Sequence, residues 1–386
     1  MAKQTQACTT TAYGLRHWVS SSLFLGFFLA IFAFSGCSDD DKNPSETVVP
    51  KPANVDISGH EMYIASVKTL AEAGNGPNDI ALNSRYAYVV SSGDNTISRI
   101  DLATLELQKN YLDLGDDSAP SACWAEEDAL YVVQSGNGGK ALRYSLGDKT
   151  RREFRASFVS PSAIRAHNGT VFVADSEYGS GTGSVYAFAE NSSTPQKLAT
   201  SAHDPMFLDV YHADNGAKTW LIVVDSGWTS GTESIPPKSC VDFWDITDIA
   251  TVSESPAHSY CVQNASLGHT AVVGNTLYIG DGMKPILHTL DLAKLGTDGL
   301  SLGSIALSNE TMGMTTPVHA NGHLFAFDFN RDTMYWDLES EQPQSLGLTK
   351  AKSDKKGPVA AAYDAARKQI LVVHSMSGSV DVVGIK

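Results

Sequence analysis

A repeated pattern of short β-strands constrains this chain more than any other feature. In residues 77–104, an aromatic and β-branched segment at 86–91 follows a polar turn and precedes the loop Ser92-Gly93-Asp94-Asn95. Residues 96–102 then alternate, so that Ile97 and Arg99 face one way and their neighbours the other. This period of two is typical of a strand and unlike a helix.

Six further repeats follow towards the C-terminus. Each has a first strand, a second strand of continuous apolar residues such as 129–133 (ALYVV), which is typical of a buried strand, and a third strand in which polar and apolar residues alternate. The seven repeats begin at residues 77, 120, 161, 205, 267, 317 and 358. A spacing of about 40 to 60 residues is close to that of a propeller blade. We therefore predict an all-β fold, a seven-bladed β-propeller of four-stranded antiparallel blades.

The last repeat lacks a fourth strand. Six repeats are followed by another apolar stretch, such as 105–114, but the chain ends at Lys386, directly after the third strand of the seventh. Residues 62–70 (MYIASVKTL) precede the first repeat and are a candidate for the missing strand. We predict that they lie beside residues 379–383 and close the ring, which would remove an exposed sheet edge.

The first repeat resembles the YVTN-type repeat of bacterial seven-bladed propellers. The similarity lies in Ala87-Tyr88-Val89-Val90 and in residues 95–102, and the fifth repeat shares Leu277-Tyr278-Ile279 and residues 289–292. It extends over residues 77–386, more loosely in the fourth, sixth and seventh repeats. The resemblance implies a propeller but no single activity, because members of the family serve as binding, surface and enzymatic scaffolds.

The N-terminus has the pattern of an export signal. Lys3 and Arg16 precede an apolar run at 23–34, which is too short to span about 30 Å of hydrocarbon but suits the core of a signal peptide. Ser35-Gly36-Cys37 follows and resembles the lipobox of bacterial lipoproteins, in which the cysteine is lipidated and becomes the new N-terminus. The alternative is an ordinary secretory leader with an incidental cysteine.

This resemblance implies a lipid-anchored protein of the cell envelope. Ser38, rather than an aspartate, follows Cys37, which by analogy with Gram-negative sorting favours the outer membrane, on its periplasmic or surface face. We predict a lipoprotein signal peptide at 1–36, a flexible polar tether at 37–60 and the propeller at 61–386. The run of three aspartates in the tether fits a solvated spacer better than a metal site.

Charge and cysteine content agree with an exported protein. With 43 acidic and 28 basic residues the formal net charge is −15, so we expect a soluble monomer that does not bind nucleic acid. Cys240 and Cys261 would face each other across a hairpin centred on 247–254, and we predict a disulfide there. Two free buried thiols are the alternative. We interpret Cys123, beside Trp124, as a core residue rather than a nucleophile.

Polar residues recur at one predicted end of the blades. In a propeller, the loop that enters the first strand and the loop that leaves the second open on the same face, so residues there should converge on a channel mouth. The second-strand ends are Ser91, Gln134, Asp175, Asp225, Asp281, Asp328 and His374. The residues near the first-strand starts are Asn78, Asp79, Ser121, Ser162, Met206, His269 and His319.

These carboxylates and imidazoles have two interpretations. They could bind a cationic ligand or a divalent metal, and the metal set would be His269, His319 and one of Asp225, Asp281 or Asp328. Alternatively, an aspartate after a strand is a turn former that accepts hydrogen bonds from neighbouring amides. Since no HxH, HExxH or CxxC spacing supports the metal, the cofactor stays unassigned.

Two predicted loops on the same face carry aromatic residues. The loop at 226–239 is long and contains Trp228, and the loop at 176–183 contains Tyr178. Long loops on rigid scaffolds often carry recognition, so either ring could cover a ligand or meet a partner. The alternative for Trp228 is packing on its own blade.

Our leading hypothesis is therefore an envelope propeller, attached to the membrane by lipid, that binds an unknown small ligand or an envelope protein. The alternative is a hydrolase or lactonase that uses the polar, metal-binding channel mouth. A scaffold subunit of a larger envelope complex is a third candidate. The GxSxG, P-loop and CxxCH motifs are absent, and the sequence identifies no catalytic residue.

Overall fold

We describe the fold from a computed structural model. It describes the backbone of 53–54, 333–337 and 344–345, and residues 64–177, 183–189, 194–213, 216–229, 238–307, 315–329 and 357–386. The predicted signal peptide at 1–36, Cys37 and most of the tether at 37–60 lie outside the described residues. In the part of the chain that is described, no helix is both long and apolar enough to cross a membrane.

Two strands precede the repeats: β1 (Ala53–Asn54) and β2 (Ile64–Leu70). Six four-stranded antiparallel sheets follow in chain order. The first consists of β3 (Pro77–Leu82), β4 (Tyr86–Ser91), β5 (Thr96–Asp101) and β6 (Leu107–Asp113). The second consists of β7 (Pro120–Ala125), β8 (Ala129–Gln134), β9 (Lys140–Ser145) and β10 (Arg151–Phe154). The third consists of β11 (Pro161–His167), β12 (Thr170–Asp175), β13 (Ser184–Ala189) and β14 (Gln196–Ala199).

The other three sheets repeat this order. The fourth consists of β15 (Pro205–His212), β16 (Thr219–Asp225), β17 (Lys238–Asp245) and β18 (His258–Gln263). The fifth consists of β19 (Leu267–Val273), β20 (Thr276–Asp281), β21 (Ile286–Asp291) and β22 (Gly303–Ala306). The sixth consists of β23 (Thr315–Ala320), β24 (His323–Asp328), β25 (Thr333–Asp337) and β26 (Gln344–Ser345). Short 3-10 helices lie at Ile249–Thr251 and Leu292–Lys294.

The remaining sheet, which we call the terminal sheet, joins the two ends of the described chain. It contains β27 (Pro358–Asp364), β28 (Gln369–His374) and β29 (Ser379–Ile385), in the order β1-β2-β29-β28-β27. The predicted pairing of 62–70 with 379–383 is confirmed for residues 64–70, where Val67 lies opposite Val383. The sequence did not predict β1, which makes this sheet five-stranded.

These sheets form a β-propeller of four-stranded antiparallel blades. The first strand of each repeat is innermost; each contacts the next innermost strand along the chain, and β27 contacts both β23 and β3. Six innermost strands begin at the predicted residues. The seventh, β23, begins at Thr315 rather than at the predicted Pro317. Thr315 lies opposite Asp328, the last residue of β24.

A local feature explains why a proline followed by a small polar residue recurs in the sequence. In six innermost strands a β-bulge follows the first residue, as between Pro77 and Asp79. The bulged side chain then bonds the start of the next innermost strand: Asn78 Nδ2 donates to Pro120 O at 3.1 Å and Ser121 Oγ to Pro161 O at 2.7 Å. These bonds tie neighbouring blades together near the axis.

The apolar core lies between the sheets. Among the described residues there are seven buried clusters, and each draws on two neighbouring sheets. One of them joins the terminal sheet to the first repeat and includes Val89 and Val373, both completely buried. Burial of each such side chain contributes about 1.5–3 kcal/mol, so the blade faces provide most of the stabilisation.

The cysteine predictions are confirmed. Cys240 and Cys261 lie directly opposite each other on β17 and β18 and form a disulfide. Cys123 is a buried free thiol whose Sγ lies 3.7 Å from Tyr88 O. Burial raises the pKa of Cys123 well above its usual range, which fits a core residue and not an activated nucleophile.

Candidate functional site

The seven predicted second-strand ends occupy equivalent positions in the fold. Each lies opposite the first residue of its innermost strand, and the set is Ser91, Gln134, Asp175, Asp225, Asp281, Asp328 and His374. All seven are buried. The structure therefore places them inside the blades, where the sequence had suggested an accessible rim.

Three of these carboxylates accept hydrogen bonds from backbone amides, as in the second of the two interpretations, and Asp225 accepts one from Ala202 N at 3.1 Å. Asp175 accepts from Val159 N at 2.9 Å and from Ser160 N at 2.6 Å, which ties the entering loop of its blade to the end of β12. Asp281 accepts from Met283 N at 2.7 Å and from Lys284 N at 3.1 Å. Burial raises the pKa of Asp175 in spite of these bonds.

Buried histidine–aspartate pairs recur at the same position. His288 Nε2 lies 3.0 Å from Asp281 Oδ2, and His374 Nε2 lies 3.0 Å from Asp381 Oδ2. Thr69 Oγ1, from the N-terminal strand, donates to Asp381 Oδ1 at 2.6 Å. Sequence reasoning missed His288 and Asp381, although each follows its partner by seven residues, and that shared spacing was a usable signal.

The fourth blade contains three buried carboxyl groups, of which the sequence singled out only Asp225. Burial raises the pKa of Asp204 to about 7. Burial, followed by the neighbouring Asp242, holds the pKa of Asp225 well above its usual range. Oδ1 of Asp225 and Oδ1 of Asp242 have no hydrogen-bond partner among the described residues, and the Asp242 carboxyl group favours the protonated form of Asp225.

Other candidates lie on the innermost strands and face the axis. Asp79, His269 and His319 are half-buried. Asp79 Oδ2 accepts from Cys123 N at 2.8 Å, and burial raises the pKa of Asp79 to about 6. Burial lowers the pKa of His269 to about 4. His319 lies beside His323, and burial lowers the pKa of His319 as well. The imidazoles of His269 and His319 are therefore neutral above mildly acidic pH.

Arg165 lies on the innermost strand β11. After burial, its positive charge is a smaller influence on the pKa of Asp79 on β3, Cys123 on β7 and His269 on β19, so it lies within electrostatic range of all three. It also lies over the Trp124 ring, 4.7 Å from the centroid. We call Asp79, Trp124, Arg165 and His269 the axial cluster. Sequence reasoning missed Arg165, although it is the one Lys or Arg within the seven innermost strands.

Part of the unused hydrogen-bonding capacity of the buried side chains lies in or beside the axial cluster. Three buried atoms there have no hydrogen-bond partner among the described residues: Asn78 Oδ1, Trp124 Nε1 and Arg165 Nε. They lie on the consecutive innermost strands β3, β7 and β11. Two donors and one acceptor are therefore left to bind a ligand or water, since buried polar groups are rarely left unpaired.

The predicted metal ligands and the predicted loop aromatics were the remaining site candidates. Within the described residues, no group of three or more His, Cys, Asp or Glu side chains is placed to hold a metal ion, and this includes His269 and His319. Trp228 is half-buried, and its Nε1 donates to Ser266 Oγ at 3.1 Å, so it bridges towards the fifth blade. Tyr178 lies outside the described residues.

Comparison with known proteins supports the fold alone. No family model and no curated protein matches the chain. Hydrazine synthase from Kuenenia stuttgartiensis is similar in structure, with a TM-score of 0.61 and 14% identity over 80% of this chain and 95% of that one. The computationally designed Ika8 protein has a TM-score of 0.53 and 12% identity, over 81% and 96% of the two chains.

Proposed function

We propose that this protein is a lipid-anchored, seven-bladed propeller of the YVTN type in the bacterial cell envelope. In this proposal it is a binding module rather than an enzyme. Its ligand is a small molecule that carries a hydrogen-bond acceptor such as a carboxylate, and the axial cluster recognises it.

The proposed ring has the terminal sheet as its seventh blade. The contacts of β27 with both β23 and β3 support this arrangement, as does the apolar cluster that joins the terminal sheet to the first repeat. Gln369 Nε2 adds a hydrogen bond to Leu102 O at 3.1 Å across the same boundary. A ring without a free edge is also protected from edge-to-edge aggregation.

One observation carries the binding proposal: the unpaired donors Trp124 Nε1 and Arg165 Nε lie side by side on neighbouring strands. An unpaired buried donor costs about 1–3 kcal/mol, and a bound acceptor would remove this cost for both groups. A carboxylate suits the site because it can accept from two donors at once and carries the charge opposite to that of Arg165.

The envelope location rests on the leader and on the lipobox around Cys37. We expect metabolic labelling with a radioactive fatty acid to mark the wild type, and Cys37→Ser to lose both the label and the association with the membrane fraction. If Cys37→Ser stays in that fraction, the lipid anchor is not what holds the protein there.

The binding proposal is tested by a thermal-shift screen of small carboxylates, since a ligand that binds only the folded state raises the melting temperature. Arg165→Met removes the guanidinium and keeps the apolar stem. We expect it to weaken binding of any hit at least about tenfold. Arg155→Met, at an exposed arginine of the preceding repeat, is the matched control and should bind normally.

Two outcomes would count against this function. Equal affinity of the wild type and Arg165→Met for every hit would remove the axial cluster from the binding site. Turnover of a lactone or ester in the same screen, abolished by Asp79→Asn, would favour the hydrolase alternative, in which Asp79 is the group with the shifted pKa.

A further inference from the structure

A concave site lies where loops of the terminal sheet meet the first repeat, and it shares no lining residue with the axial cluster. We call it the seam cleft. Its volume is about 620 Å³, within the range of about 300–1,000 Å³ that is usual for small-molecule sites. Its lining includes Glu72, Asp94, Ser98, Lys109, Asn110 and Met376.

At one position that lines the seam cleft, the first repeat differs from the other six. Ser98 lies opposite Val89, two residues before the end of the second strand. The equivalent residues of the other sheets are all larger: Leu142, Tyr186, Asp242, His288, Met334 and Asp381. Serine is the smallest residue type at this position among the seven sheets, so it leaves the most room.

A wide bulge in the fourth strand enlarges the same space. In β5 and β6, Ile97 pairs with Leu112 and Arg99 with Gln108, so residues 109–111 lie opposite Ser98 alone. The third and fourth strands of the second to fifth sheets pair without such a shift. The bulge brings Lys109 and Asn110 to the rim, and Asn110 has a φ of +51°. Bulges that redirect side chains are frequent beside functional sites.

Ser98 gives the lining of the seam cleft a buried hydroxyl group that the protein itself does not use, and two more such groups lie behind it in the same blade. Ser91 and Thr96 are directly opposed, and Ser98 follows Thr96 on the same face of β5. All three are buried, and none of their hydroxyl oxygens has a hydrogen-bond partner among the described residues. The Ser98 hydroxyl can both donate and accept, so this lining suits groups that do the same.

The charges at the rim argue against an anionic ligand. Lys109 is the cationic group of the lining, and its Nζ is already paired with Glu72. Asp94 is a second carboxylate, and its Oδ2 accepts from Asn75 N at 2.7 Å. Met376 is 39% exposed and adds an apolar surface at the rim. Since no group of three metal-ligating side chains occurs among the described residues, the lining does not suit a metal ion.

We propose that the seam cleft binds a neutral saccharide of one or two rings, either as a free sugar or as part of a glycan chain. Sugar hydroxyls match the buried Ser98 hydroxyl and the Asn110 amide, because both sides donate and accept. The C–H face of a sugar ring can pack on Met376. This inference does not depend on the axial cluster, which would serve a different ligand.

Binding is measured by saturation-transfer NMR and isothermal titration calorimetry, with maltose, cellobiose and N,N′-diacetylchitobiose as probes. The full-length protein is used in a detergent that has no sugar headgroup. Soluble glycan strands are tested in the same assays as a second class of ligand. Binding of a disaccharide indicates that a free sugar is sufficient, and binding of the strands alone identifies a polymer as the source of the same chemistry.

Two variants test the location. Ser98→Leu fills the cleft with the residue that the second repeat has at this position, and Asn110→Gly removes the amide while tolerating the positive φ. We expect each to weaken binding at least about tenfold. Asn168→Gly is the matched control, since Asn168 is also an exposed asparagine with positive φ but lies in another blade. It should bind like the wild type, as should Arg165→Met.

Two results would overturn the proposal. One is the absence of binding by every disaccharide and by the glycan strands at millimolar concentration. The other is saccharide binding that Asn110→Gly and Ser98→Leu leave unchanged. Because Asn110 is exposed, a loss of folding in Ser98→Leu alone would still leave Asn110→Gly to decide.

Discussion

The buried carboxyl group of Asp204 should make the stability of this propeller depend on pH. Asp204 is 3% exposed, precedes β15 and accepts a hydrogen bond from Ser226 Oγ. Burial raises its pKa from 3.8 to about 7. Its φ of +61° suits asparagine. Asp204→Asn therefore removes the ionisable group and keeps both the backbone conformation and the acceptor for Ser226.

The sign and size of the effect on the free energy of unfolding follow from the difference in the pKa of Asp204 between the folded and the unfolded protein. The pKa of Asp204 is higher in the folded than in the unfolded protein, so its stabilising contribution is complete below about pH 4 and is lost as pH rises to about 7. A raised pKa of about three units corresponds to about 4 kcal/mol, of which about 3 kcal/mol falls between pH 5 and 8. We expect Asp204→Asn to stabilise the protein by about 1–2 kcal/mol at pH 5 and by about 4 kcal/mol at pH 8.

Urea denaturation at pH 5 and pH 8 gives the free energy of unfolding for the wild type and for Asp204→Asn. Asp116→Asn, at an exposed carboxylate, is the control and should show the same small effect at both pH values. A stabilisation by Asp204→Asn that is equal at the two pH values, or larger at pH 5, would refute the reasoning.

Two further predictions concern the disulfide and the N-terminal strand. Replacing both Cys240 and Cys261 with Ala should lower the free energy of unfolding by about 3 kcal/mol through the lost loop constraint. A reducing agent should then destabilise the wild type in urea but not the double variant, and an equal effect on both would contradict the prediction. Ile64→Ala should cost about 2–5 kcal/mol, because Ile64 is 0% exposed in the core between the sixth repeat and the terminal sheet. Val159→Ala, at a side chain that is 48% exposed, should leave the melting curve unchanged, and equal effects of the two would argue against the docking of β2.

Much of the fold could be predicted because each blade repeats the same alternation. A buried second strand and an alternating third strand follow from periodicity, and the missing strand of the last repeat led to residues 62–70. The predicted start of β23 was wrong by two residues. Its proline is the third residue of the strand and not the first, and β23 lacks the bulge that marks the others.

The candidate site was less predictable, because burial depends on distant neighbours. Aligning the repeats found the equivalent positions of Asp175, Asp225 and Asp281. The alignment could not show that loop amides would enclose these carboxylates, since that depends on the path of the preceding loop. Arg165 is near His269 only because strands from different repeats meet at the axis. The seam cleft depends on a two-residue insertion opposite Ser98, which no pattern within one repeat reveals.

The central claim is that the N-terminal strand β2 completes the sheet formed by the C-terminal strands. Lys68 and Val382 lie directly opposite each other in β2 and β29, so cysteines at these two positions should form an intramolecular disulfide that peptide mapping by mass spectrometry detects. Lys68→Cys with Val383→Cys is the control, because a shift of one residue moves the side chain to the other face of the sheet. We predict a 68–382 crosslink in high yield and little 68–383 crosslink. No 68–382 crosslink, or equal yields in the two variants, would contradict this arrangement.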